Sequence, residues 1–146
     1  MRRSVLLALV VLGACGGLRA GGDAGGALST RGAVEQFLAA ARAKDRVAFA
    51  RVWGSANGSA ATTMDRVERE KRQEVILCAL AHDESRIGAP TPGEGGRTVF
   101  SVELKNGSLA ATGNITAIPG PSGRYYVENV ELEKFTSLCR LSAPVR

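Results

Sequence analysis

His82 is the single histidine in 146 residues. Flanked by Asp83 and Glu84, it is the first candidate for acid or base work near neutral pH. A structural role competes with that one: at the end of a helix running up to it, a protonated imidazole would meet the negative end of the helix dipole and lie outside any cavity. The chain holds three cysteines, Cys15, Cys78 and Cys139. Neither Cys78 nor Cys139 has the C-x-x-C spacing of a redox or zinc site. No further ligand types converge on them, so neither a metal nor a cofactor is expected. A G-x-S-x-G elbow, a phosphate-cradling glycine loop and a Cys-His signature are all absent from the sequence.

Charge narrows the partners. Nineteen Lys plus Arg face 14 Asp plus Glu, for a net charge of +5. From Asp65 to Glu74 the two signs alternate, and a nucleic-acid binder needs a one-signed stripe that this chain lacks. Nucleic acid is therefore not an expected partner. With 45% apolar, 23% charged and 5% aromatic residues, the chain is one globular domain whose core must be built from Ala, Val and Leu.

The first fifteen residues hold the clearest signal. Arg2 and Arg3 form a positive start, Val5 to Leu12 is an unbroken apolar run, and Gly13 and Ala14 are small residues directly before Cys15. Eight apolar residues span about 12 Å as a helix, far short of a hydrocarbon core about 30 Å thick, so the run reads as an export signal and not as a membrane span. Leu12-Gly13-Ala14-Cys15 resembles the lipobox of bacterial lipoproteins. That resemblance implies cleavage before Cys15, lipid on its thiol, and a membrane partner through the acyl chains. In the resembled lipoproteins an Asp after the cysteine favours retention at the inner membrane, so with Gly16 in that place the resemblance implies the outer membrane, with the domain facing the periplasm of a bacterial cell envelope. With Cys15 given to lipid, Cys78 and Cys139 are left as one pair in an oxidising compartment, where a disulfide is expected and two buried thiols are the alternative.

Residues 1 to 14 are thus expected to be a signal peptide, 15 to 29 a Gly-rich tether, and 30 to 146 a single domain. Ser29 or Thr30 can cap a first helix in which Ala33, Val34, Phe37, Leu38 and Ala41 recur at helical spacing. Asp45 can cap a second that carries Phe49 and Trp53 and stops at Gly54. A third is expected from Thr62 or Thr63, burying Met64, Val67, Val75 and Cys78, with Lys71 intruding on that face and its head group in solvent. Its last residues, Val75 to Ala81, are apolar all round and call for a covering sheet. Asn106-Gly107 then separates two alternating runs, the strongest short hairpin signal. A two-residue turn there pairs Leu104 with Leu109, Val102 with Ala111 and Phe100 with Gly113. Arg124 to Phe135 is expected to be the last long strand.

Helices followed by an antiparallel sheet give an α+β fold with one sheet face covered. The plan resembles the nuclear transport factor 2-like superfamily, including its SnoaL-like members, a cone of helices against a curved sheet. The most specific stretch is Ala33 to Asp45, a helix ending in a short charged turn before a second helix with Trp53. A cystatin-like helix-on-sheet domain is the alternative. Enzymes of the resembled superfamily place a carboxylate or a His-Asp pair inside the cone, and here the carboxylate is Glu128. Strict alternation from Val130 and Leu132 points Glu128 inward, where burial would make it a base. A bulge at Glu128-Asn129 would instead align Tyr125 and Val127 with Val130 and Leu132 and leave Glu128 in water. The leading expectation is a lipid-anchored, non-catalytic module that binds a protein or a small apolar ligand. A small SnoaL-like isomerase or cyclase using Glu128 or His82 is the second reading, and a structural envelope subunit the third.

Overall fold

A computed structural model describes residues 25–139. The expected signal peptide, Cys15 and most of the expected tether lie outside the described residues. Ser29 is extended (φ −144°), and its hydroxyl accepts from the Gly32 amide at 2.9 Å, which starts α1 (Thr30–Ala43). Lys44, at φ 53°, ends it. One carboxylate oxygen of Asp45 accepts from the Val47 and Ala48 amides at 3.1 and 3.0 Å and opens α2 (Arg46–Val52). The two helices meet through Phe37 and Phe49, whose rings lie 4.5 Å apart, and Trp53 continues the cluster 5.8 Å beyond Phe49.

The expected third helix is divided and rotated. A two-residue hairpin, β1 (Gly54–Ser55) with β2 (Gly58–Ser59), leads into one turn, α3 (Ala60–Thr63). The hydroxyls of Thr62 and Thr63 donate back to the Ser59 carbonyl, so these threonines close α3 and do not cap the long helix. That helix, α4 (Arg66–Ala79), starts at Asp65, which accepts from the Val67 and Glu68 amides at 3.0 and 3.1 Å. Its buried residues are Gln73, Ile76, Leu77 and Ala79, and Leu80 follows, fully buried. Val67 and Val75, expected in the core, are 59% and 63% exposed. Gln73 wins the inner position because its amide donates to the Arg46 carbonyl at 2.9 Å and ties α4 to α2.

The second half is a four-stranded antiparallel meander, β3 (Glu84–Pro92), β4 (Thr98–Asn106), β5 (Leu109–Pro119) and β6 (Tyr125–Val130). The chain is thus α+β, with helices preceding a curved antiparallel sheet. Phe100, Val102 and Leu104 of β4, Ile115 and Ala117 of β5, and Val127 of β6 face the helices with almost no exposure. The hairpin forms with its register moved by two residues: Leu104 pairs with Ala111, Val102 with Gly113 and Phe100 with Ile115, so the turn is Gly107-Ser108. Gly107, at φ 61°, occupies the first turn position, where a positive φ is needed. A shift of two keeps every side chain on its expected face. Gly113 is covered by an aromatic ring, but by Phe135 and not Phe100: a Cβ there would lie 2.8 Å from the Phe135 ring.

The last strand is shorter than expected. The strand ends at Val130, and Glu131 closes it against β5: its amide donates to the Asn114 carbonyl at 3.0 Å and its carboxylate accepts from the Asn114 amide at 2.8 Å. The chain then forms α5 (Leu132–Phe135) and a 3₁₀ turn to Leu138, which bury Phe135 and Leu138 completely. Cys139 is disulfide-bonded to Cys78 on α4, Cα to Cα 4.8 Å. At the other end, the domain begins before Ser29. Ala27 exchanges two backbone hydrogen bonds with Tyr125 (2.9 Å each), the Gly26 amide donates to Arg51 at 2.7 Å, and the Tyr126 hydroxyl donates to the Gly25 carbonyl at 3.1 Å. Glycine is required here: Gly26 sits at φ 81°, and a Cβ on Gly25 would strike the Arg51 carbonyl.

Candidate functional site

Four elements enclose a groove of about 450 Å³, within the range of small-molecule sites. Phe37 of α1 and Trp53 after α2 contribute from the core, Val75 and Ile76 form the α4 side, and Val130 and Leu132 form the opposite side. The rotation of α4 creates the groove. With Gln73 and Leu77 turned to the core, Val75 is left facing outward beside Lys71 and Arg72, which also line the opening. A sequence signal for this existed: Gln73, Ile76, Leu77 and Leu80 have i, i+3, i+4, i+7 spacing as good as the apolar set containing Val67 and Val75.

Glu128 is at a β-bulge. The β5–β6 register runs Thr116 with Asn129 and then Ala117 with Val127, which leaves Glu128 as the extra residue. Tyr125, Val127 and Val130 consequently share the inner parity, but Leu132 has left the strand for α5. The carboxylate is half-buried and does not stand alone in water. Arg97, just before β4, grips both of its oxygens, Nε at 2.6 Å and the terminal nitrogen at 2.9 Å. Those hydrogen bonds, and secondly the charge of Glu128, hold the Arg97 guanidinium above its usual range. The clasp ties the turn before β4 to the bulge in β6. Sequence reasoning missed this partner, which lies 31 positions away.

His82 is 9% exposed, and its Nδ1 lies 2.7 Å from the Leu80 carbonyl just past α4. A carbonyl only accepts, so Nδ1 carries the proton and the ring closes the helix end. His82 lines a separate depression with Glu35, Leu38 and Ser85, where the cap reading put it outside any cavity. No hydrogen bond joins it to Glu35 or Ser85. The structure therefore places His82 and Glu128 in different depressions, each held by a structural partner. Cys78 and Cys139 are brought together as one disulfide, and Cys15 lies outside the described residues.

Within the groove the polar side chains are mostly donors. Lys71 has no carboxylate partner among the described residues. Arg72 gives its Nε to Glu68 at 2.6 Å and keeps its terminal nitrogens. Trp53 is 8% exposed, and its indole N–H has no hydrogen-bond partner among the described residues. Among the described residues no group of three or more His, Cys, Asp or Glu could hold a metal ion, and no helix is long and apolar enough to cross a membrane. Comparison with protein-family models, with curated proteins and with solved structures finds no match to this chain.

Proposed function

We propose that this protein is a lipid-anchored module of the bacterial cell envelope that binds a small, largely apolar ligand without transforming it. The reading rests on the groove: a concavity of about 450 Å³ lined by Phe37, Trp53, Val75, Ile76, Val130 and Leu132, with no acid–base pair among the described residues directed at a common point. The arrangement of helices over a curved sheet, with the opening between α4 and β6, supports a nuclear transport factor 2-like architecture for the domain. The Cys15 lipobox supports the anchor, with the domain on the periplasmic side of the outer membrane. The disulfide between Cys78 and Cys139 fits such an oxidising compartment.

A deletion strain complemented with variants tests the functional half. Glu128→Gln and His82→Ala are expected to complement fully, whereas Val75→Asp, a change at an exposed groove position, is expected to fail while remaining folded. Loss of complementation by a folded Glu128→Gln or His82→Ala would replace the binding reading with an enzymatic one. Intact mass of the membrane-extracted protein tests the anchor. It is expected to begin at an acylated Cys15, and an unmodified start at any other residue would remove the anchor from the proposal.

A further inference from the structure

We infer that the groove takes an anionic amphipath, a single apolar chain ending in a carboxylate or phosphate head group, and that Lys71 receives the head; this rests on the groove being the binding site. Along α4 the wall changes character over one turn. Lys71 and Arg72 line one stretch, and Val75 and Ile76 follow four residues later on the same lines of the helix, about 6 Å further along its axis. A ligand lying along that wall meets charge first and hydrocarbon second.

The acids nearby do not cancel this. Among the described residues Glu128 is the only carboxylate that lines the groove, and both of its oxygens are taken by Arg97. Glu68 is occupied by the Nε of Arg72, whose guanidinium retains other donors. Lys71 is a cation with no carboxylate partner among the described residues. The indole N–H of Trp53 points to the same ligand chemistry from the core side. Among the described residues it has no partner, in a residue 8% exposed, and no fully enclosed polar side-chain atom is left unsatisfied, so this N–H keeps an opening. Trp53 lines the groove. An unpaired ammonium and an unpaired N–H both favour an acceptor that carries negative charge.

Trp53 is the only tryptophan in the chain, so its fluorescence reports directly on the groove. The whole chain carrying Cys15→Ser, which removes the acylation site and leaves every described residue unchanged, is titrated with dodecanoate, dodecyl phosphate and uncharged dodecanol. The two anions are expected to bind about tenfold or more tighter than dodecanol, the scale of one charge-assisted hydrogen bond. Comparison of the two anions distinguishes a carboxylate from a phosphate head. Lys71→Glu is expected to remove that preference, Lys71→Arg to keep it, and Val75→Asp to weaken all three probes. Equal binding of dodecanol and the anions, or a preference untouched by Lys71→Glu, would overturn the anionic assignment and leave the groove as a binding site. No response to any probe by the folded protein would overturn both.

Discussion

Replacing Cys78 and Cys139 together by serine isolates what the disulfide does. The bond joins residues 61 apart in sequence, and for a loop of that size the chain-entropy estimate is about 4 kcal/mol at 25 °C. A loss of native contacts could add to this, but the C-terminal turn is held independently. Phe135 and Leu138 are fully buried, and the Asn106 amide donates to the Leu138 carbonyl at 3.3 Å. The native state should therefore keep its shape, and the loss should come from the unfolded chain, which becomes free to expand. Urea denaturation followed by Trp53 fluorescence is expected to show a midpoint well below that of the oxidised protein and a steeper dependence on urea, since the uncrosslinked chain exposes more surface. The native emission spectrum should be unchanged. A loss below about 1 kcal/mol with an unaltered slope would refute the unfolded-state account, and a changed native spectrum would show that the bond, not packing, holds the last turn.

Gly113→Ala is expected to cost about 1–3 kcal/mol, because its Cβ would lie 2.8 Å from the Phe135 ring and 2.9 Å from Lys134; in urea denaturation the double variant with Phe135→Leu should lose less than the sum of the two single changes. Gly26→Ala forces a side chain to φ 81° against Tyr125 and Tyr126, and a loss of about 1–3 kcal/mol in thermal unfolding is expected, with faster hydrogen exchange at Ala27 and Tyr125. The Glu70 carboxyl is held below the usual range by the hydrogen bond from Arg66 and secondly by its charge. Its contribution is therefore present above the ordinary carboxylate range and lost as pH falls through the lowered value. Glu70→Gln should narrow the difference in stability between neutral and acid pH, and molar salt should narrow it in the parent.

Elements with a local chemical signature were legible in the sequence. Ser29 and Asp45 cap the helices they announce, and Asn106-Gly107 marks a hairpin whose faces are right although its register moved by two. The bulge at Glu128 was legible as one of two alternatives. Strand β3 was not legible at all. It is an edge strand containing Gly88, Pro90 and Pro92, mostly exposed, and it lacks the alternation that burial imposes on β4 and β5. The rotation of α4 was decided by the Gln73 hydrogen bond to Arg46, 27 residues away, and a polar residue in that role looks like a surface residue in any apolar count. The groove was hidden for the same reason. Its sides come from residues as far apart as Phe37 and Leu132, and Val75 reads as core until the helix is oriented. The clasp between Arg97 and Glu128 also needed the sheet before it could be found.

The pinning of Gly25, Gly26 and Ala27 onto β6 and Arg51 determines how the domain would respond to a pull from its upstream side. Tension would load the Tyr126 bond to Gly25 and the Gly26 bond to Arg51 first, then the paired backbone bonds between Ala27 and Tyr125, all before reaching the N-cap of α1. The strand that takes this load, β6, runs on to Val130 in the side of the groove. A leash attached at the end of a helix would let the domain swivel without disturbing its interior. Here the upstream segment is stitched along the strand that helps shape the groove, so the mechanical entry point and the groove wall share one piece of backbone.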